Sequence, residues 1–125
     1  MGYYSDVVLV LSKDAHEKLK EALKDASADV RTLFNKYRER LAVDQKTGSA
    51  IYYWEGIKWY STDPEFQFLE RFLDGLEDEQ CRFLRLGEDF GDLEEYGSFH
   101  DNPFEPRVTA RIAFNKIGEV YSPSP

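Results

Sequence analysis

Ala50-Ile51-Tyr52-Tyr53-Trp54-Glu55-Gly56-Ile57-Lys58-Trp59-Tyr60 groups five aromatic side chains on either side of a Glu-Gly pair. Aromatic and β-branched residues favour the pleated backbone, and Gly56 can take the positive φ of a tight turn. The stretch therefore predicts a β-hairpin of Ala50–Trp54 and Ile57–Tyr60. A weaker alternative is one strand carrying a glycine bulge. Alternation sends Tyr53 opposite to Tyr52 and Trp54, and Trp59 opposite to Tyr60, so the five rings cannot all point inward. Some aromatic surface is expected to stay exposed, where it can anchor a partner or stack a base.

Upstream, Tyr3–Leu11 is almost continuously apolar and reads as a central strand buried on both faces. Ser12 offers a hydroxyl cap to a helix whose apolar residues Ala15, Leu19, Leu23, Ala26, Val30, Leu33, Phe34 and Tyr37 recur every three or four positions. Asp25-Ala26-Ser27-Ala28-Asp29 can divide that helix in two, and both forms stay open. Gln45–Gly48 reads as a turn. Downstream, Thr62-Asp63-Pro64-Glu65 starts a second helix, with either Thr62 as the cap of a capping box or Asp63 as the cap with Pro64 in the first turn. Its stripe is Phe66, Leu69, Phe72, Leu73 and Leu76. Cys81–Leu86 and Arg107–Phe114 read as strands, separated by an acidic loop of about twenty residues, Gly87–Pro106, long enough to suggest function or mobility. The economical packing is α+β: a mainly antiparallel sheet of four to five strands with two or three helices on one face, in a ferredoxin-like or split βαβ arrangement.

The 125 residues suit one domain over residues 1–120 with an extended tail at 121–125. Hydrophobic residues at 42% place the chain well away from disordered composition. A net charge of −8 makes direct nucleic-acid binding and attraction to anionic membranes unfavourable. Cys81 is the lone cysteine, so no internal disulfide forms and a reducing, cytosolic setting fits. The apolar run Val7–Leu11 is too short for a leader or a membrane span, and Gly2 with Ser5 misses the myristoylation spacing by one position.

Catalytic signals are weak. His16 and His100 have no predictable partner and read as ordinary surface histidines; Cys81 reads as a small core residue. Glu88-Asp89-Phe90-Gly91-Asp92-Leu93-Glu94-Glu95 supplies five carboxylates, but not in the alternation of an EF-hand, and no phosphate-binding glycine motif is present. No cofactor and no metal are expected. Glu88, Asp89, Asp92, Glu94 and Glu95 read first as a solvated face, with oxygen ligation of Ca²⁺ or Mg²⁺ and a recognition surface for a basic patch as the alternatives. Arg107, Thr109 and Arg111 alternate onto one strand face, and with Lys58, Arg85 and Trp59 could hold an anionic nucleotide; pairing with the surplus carboxylates is the plainer role.

The opening Gly2-Tyr3-Tyr4-Ser5-Asp6-Val7, the Tyr53-Trp54 and Ile57-Lys58-Trp59-Tyr60 segment, Pro64-Glu65-Phe66-Gln67-Phe68-Leu69 and Arg82-Phe83-Leu84-Arg85-Leu86-Gly87-Glu88-Asp89 together resemble a group of small, uncharacterised bacteriophage and prophage proteins. The likeness spans most of Gly2–Glu95. It implies an accessory phage product in the bacterial cytoplasm, and no activity. The leading expectation is a non-enzymatic binding protein that inhibits a host or anti-phage defence macromolecule. Its candidate binding residues are Trp54, Lys58, Trp59, Tyr60, Arg85, Glu88, Asp89, Asp92, Glu94, Glu95 and Arg111. The alternatives are a nucleotide-signal sponge built on aromatics and arginine, and a small carboxylate enzyme needing Glu88 and Asp89. A homodimer is compatible with each.

Overall fold

Ser5, Val7, Leu9 and Leu11 share one side of the strand Tyr4–Leu11 (β1) and are all buried, as a period of two requires. β1 is the centre of the sheet in the computed structural model, which describes residues 2–89 and 91–109. Four more strands are β2 (Arg40–Val43), β3 (Ala50–Lys58), β4 (Cys81–Gly87) and β5 (Leu93–Tyr96), in the spatial order β2-β3-β1-β4-β5. Every neighbouring pair is antiparallel. Helices α1 (Lys13–Lys24) and α2 (Ala28–Asn35) connect β1 to β2, and α3 (Pro64–Asp74) connects β3 to β4. The first four strands and their helices thus form the expected split βαβ arrangement, and β5 extends it beyond β4.

The helices end where their sequences dictate. Ser12 and Ser27 hydroxyls accept the Ala15 and Val30 N–H groups, so Ser27 starts a new helix and the open question of one helix or two resolves as two. Asp63 takes the cap position of α3 with Pro64 in the first turn. One core joins Leu19 and Leu23 of α1, Val30, Leu33 and Phe34 of α2, and Phe66, Leu69 and Leu73 of α3 to Val7, Leu9 and Leu11. The three helices therefore cover a single face.

The expected hairpin at Glu55-Gly56 is instead one continuous strand with the glycine bulge. Ser5 pairs with Ile57 while Val7 pairs with Trp54, so Asp6 alone faces both Glu55 and Gly56. Gly56 has φ +61°, and its freed N–H donates to Asp6 Oδ1 at 2.8 Å. The extra residue reverses the alternation. Ala50, Tyr52 and Trp54 face the helices before the bulge; Ile57 and Trp59 do so after it.

Two strands escaped the sequence reading, β2 and β5. The second lies inside the supposed acidic loop Gly87–Pro106, whose part up to Tyr96 completes a β4–β5 hairpin closed by Gly87 N–H donating to the Asp92 carbonyl, while 97–106 forms no strand. Arg107–Thr109, the start of the expected strand Arg107–Phe114, has no regular structure, and its remainder lies outside the described residues. Val10 and Leu84 are buried on the face away from the helices, but Asp6 and Lys58 are exposed, so the central strands are not buried on both faces throughout.

A candidate docking cleft between α3 and the β4–β5 hairpin

Because the bulge turns Trp59 toward the helices, its ring meets Phe66 of α3 at 4.1 Å between centroids and Phe83 of β4 at 5.8 Å. These rings, with Leu69 and Leu73, floor a cleft of about 750 Å³. The three short helices do not reach across the sheet's fifth strand, and all four β5 residues are exposed. Tyr96 spans the gap at one end, its hydroxyl directed at the Leu73 carbonyl and the Asp74 carboxylate, both at 3.4 Å.

Arg85 closes the other end. Its position on β4 follows Cys81 and Phe83 at steps of two, so it points to the helix side and is almost fully buried. A buried guanidinium must be paired. Asp92 accepts from both terminal nitrogens, at 2.6 and 3.2 Å, Glu94 accepts at 2.8 Å and the Ser5 hydroxyl at 2.9 Å. The Arg85 Nε–H is buried with no partner among the described residues. Tyr3 donates its hydroxyl to Asp92 and accepts the Asp89 N–H, while the Tyr4 N–H donates to Glu88. The hairpin tip is thereby clasped to the start of β1. Gly87 allows this approach, since a Cβ there would collide with the Asp92 carboxylate and the Tyr3 hydroxyl.

Electrostatics follow from these bonds. The Arg85 and Tyr3 hydrogen bonds hold the Asp92 carboxyl below its ordinary range. The bond to Asp92 pushes the Tyr3 hydroxyl up. Burial alone would lower Arg85, but Asp92 and Glu94 outweigh it and keep the charge. Glu70, Asp74, Asp92 and Glu94 set four carboxylates at the cleft against the guanidinium of Arg85, while Glu95, which also lines it, gives its carboxylate to Arg82 at 3.3 Å. The rim is therefore negative, over an aromatic floor.

Of the residues singled out from sequence, Trp59, Arg85, Asp92, Glu94 and Glu95 come together here. Tyr60 sits beside them, exposed, its hydroxyl accepting the Tyr3 N–H. Glu88 and Asp89 lie at the exposed hairpin tip, and Lys58 lies over the Tyr4 ring. Trp54 is a correction: it is wholly buried, its indole N–H donating to the Leu33 carbonyl at 2.9 Å, and it offers no surface. Arg111 lies outside the described residues. Tyr3, Phe66, Glu70, Asp74, Phe83 and Tyr96 were not anticipated as site residues, although the α3 stripe had marked Phe66, Leu69 and Leu73 as one apolar face.

His16 is also not a surface histidine. It is buried, with Nε2 3.0 Å from the Tyr52 hydroxyl and its pKa lowered by burial and by Lys20. Cys81 is in the core and burial pushes its thiol up to about 11. Among the described residues no three His, Cys, Asp or Glu side chains are placed to share a metal ion, and no helix is long and apolar enough to cross a membrane. Comparison of the chain with protein-family models, curated proteins and solved structures found no match.

Proposed function

We propose that this chain is a non-enzymatic binding protein that holds a basic, partly apolar segment of a partner protein in the α3–β5 cleft. One observation carries the reading: a partly exposed Trp59, backed by buried Phe66 and Phe83, lies beneath the carboxylates of Glu70, Asp74, Asp92 and Glu94, and the guanidinium of Arg85 is already bonded to the last two. Such a surface rewards an apolar stem ending in positive charge, which Lys and Arg provide. The likeness to phage accessory proteins suggests the setting, in which the partner is a host or defence macromolecule blocked by occupancy.

Trp59 and Arg85 do share the cleft, which favours a nucleotide sponge as the second reading. An anionic nucleotide must there compete with Asp92 and Glu94 for the guanidinium and approach a negative rim. The two readings separate in one experiment. The wild-type chain and a Glu70→Gln/Asp74→Asn double variant are each used to capture proteins from host lysate at low and high salt, and the purified chain is examined by native mass spectrometry. A stoichiometric protein complex that weakens with salt and with the variant supports the docking cleft. A retained nucleotide, or capture that the variant leaves unchanged, contradicts it.

A further inference from the structure

Among the described residues the sheet ends at β5, and its outward edge shows how a segment could be held. Gly87 N–H bonds to the Asp92 carbonyl, and an antiparallel ladder bonds alternate pairs, so Glu94 and Tyr96 face β4 with their backbone groups. Those of Glu95 turn away from β4, as does the Leu93 carbonyl, while the Leu93 N–H is taken by the Gly91 carbonyl. No strand pairs with that edge among the described residues. β5 carries no Lys, Pro or bulge, and its guards are its four-residue length and the charges of Glu94 and Glu95. Its Glu94 and Glu95 repel a second β5 and attract a strand of opposite sign, and Leu93 and Tyr96 are exposed hydrophobic surface beside them.

Resting on the docking reading above, we propose that the partner segment is taken up in extended form as a sixth strand along β5. Its main chain pairs with Glu95, and alternate Lys or Arg side chains point over the Trp59 floor toward Glu70, Asp74 and Glu94. Strand addition gives affinity through the backbone and selects the side chains through their alternation. The opposite edge, β2, carries Arg40 and is unsuited to the same ligand.

The test uses a capped hexapeptide of alternating lysine and valine, its two versions N-methylated on one or the other set of alternate amides, and the whole chain in calorimetric titration. Strand addition predicts binding of the parent peptide, a loss of about tenfold on one pattern of methylation only, and new exchange protection at the Glu95 amide. Glu95→Pro, which removes an outward N–H that the ladder does not use, is expected to bind the parent about tenfold more weakly than Glu95→Ala. If both methylated peptides bind like the parent, side chains alone are recognised: strand addition fails and the docking cleft stands. If the parent does not bind, both fail. Self-association of the free chain that Glu95→Pro abolishes would make β5 an interface between copies and also overturns the proposal.

Discussion

Trp54 and Trp59 lie five residues apart on one run of chain and end in opposite surroundings. Trp54 sits where α2 closes over β3; it is wholly buried, packed edge-on to Phe34 and satisfied at its N–H. Trp59 sits past the bulge, where α3 leaves the β4–β5 end of the sheet uncovered, and it remains partly accessible beneath a rim of carboxylates. Both face the same side of the sheet. What differs is the cover, and cover separates a residue that stabilises the fold from one available for recognition.

The sharpest way to break the comparison is to truncate each ring. Trp54→Ala is expected to cost about 3–5 kcal/mol in urea-unfolding equilibria, a large share of the stability of a small domain. Trp59→Ala should cost about 1–2 kcal/mol, because less of the ring leaves water on folding, yet it should reduce peptide affinity. Equal costs would erase the distinction. Gly56→Val comes next, at about 1–3 kcal/mol, since a β-branched residue at φ +61° is strained and threatens the reversal that turns Trp59 inward. Arg85→Met follows at about 1–2 kcal/mol: it strands Asp92 beside Glu94, but both carboxylates reach solvent, which limits the penalty.

The smallest effect is in pH, and it separates the two regions again. Buried His16 has a folded pKa below its ordinary 6.5, so the unfolded chain takes the proton first. Stability is complete above that value and declines as pH falls below it, until the folded histidine itself is protonated. Asp92 has a folded pKa below its ordinary 3.8; its contribution is present above that value and is lost as pH falls through the folded one. Unfolding curves against pH should therefore show a core-derived decline first and a cleft-derived one further down. His16→Gln should remove the first, and Asp92→Asn should reduce the second, which the lowered carboxyls of Glu17 and Asp44 share.

Much of this frame was legible in residues whose neighbours are close in sequence. Ser12, Ser27 and Pro64 announce helix starts through bonds or constraints three or four residues long, and β1 and β4 are apolar enough to declare themselves. The misses have distant causes. Glu55-Gly56 is composed like a turn, and what makes it a bulge is the Asp6 carboxylate, fifty positions away, that accepts the Gly56 N–H. His16 on a charged helix gives no hint of Tyr52. Leu93-Glu94-Glu95-Tyr96 lacks strand composition and becomes a strand because β4 offers an edge to pair with. In the site, Trp59, Arg85, Asp92, Glu94 and Glu95 stand out by type, but that α3 packs Phe66 and Leu69 into the core beside them and leaves Trp59 partly accessible depends on packing that no local pattern encodes.

The two indoles also supply the most direct test of the docking cleft, since each Trp gives one N–H cross-peak in a proton–nitrogen correlation spectrum. On titration with the lysine–valine hexapeptide, the Trp59 indole peak should move in proportion to occupancy while that of Trp54 stays in place. Saturating peptide that leaves Trp59 unmoved, or that shifts both peaks equally, would contradict the assignment of this cleft as the binding surface.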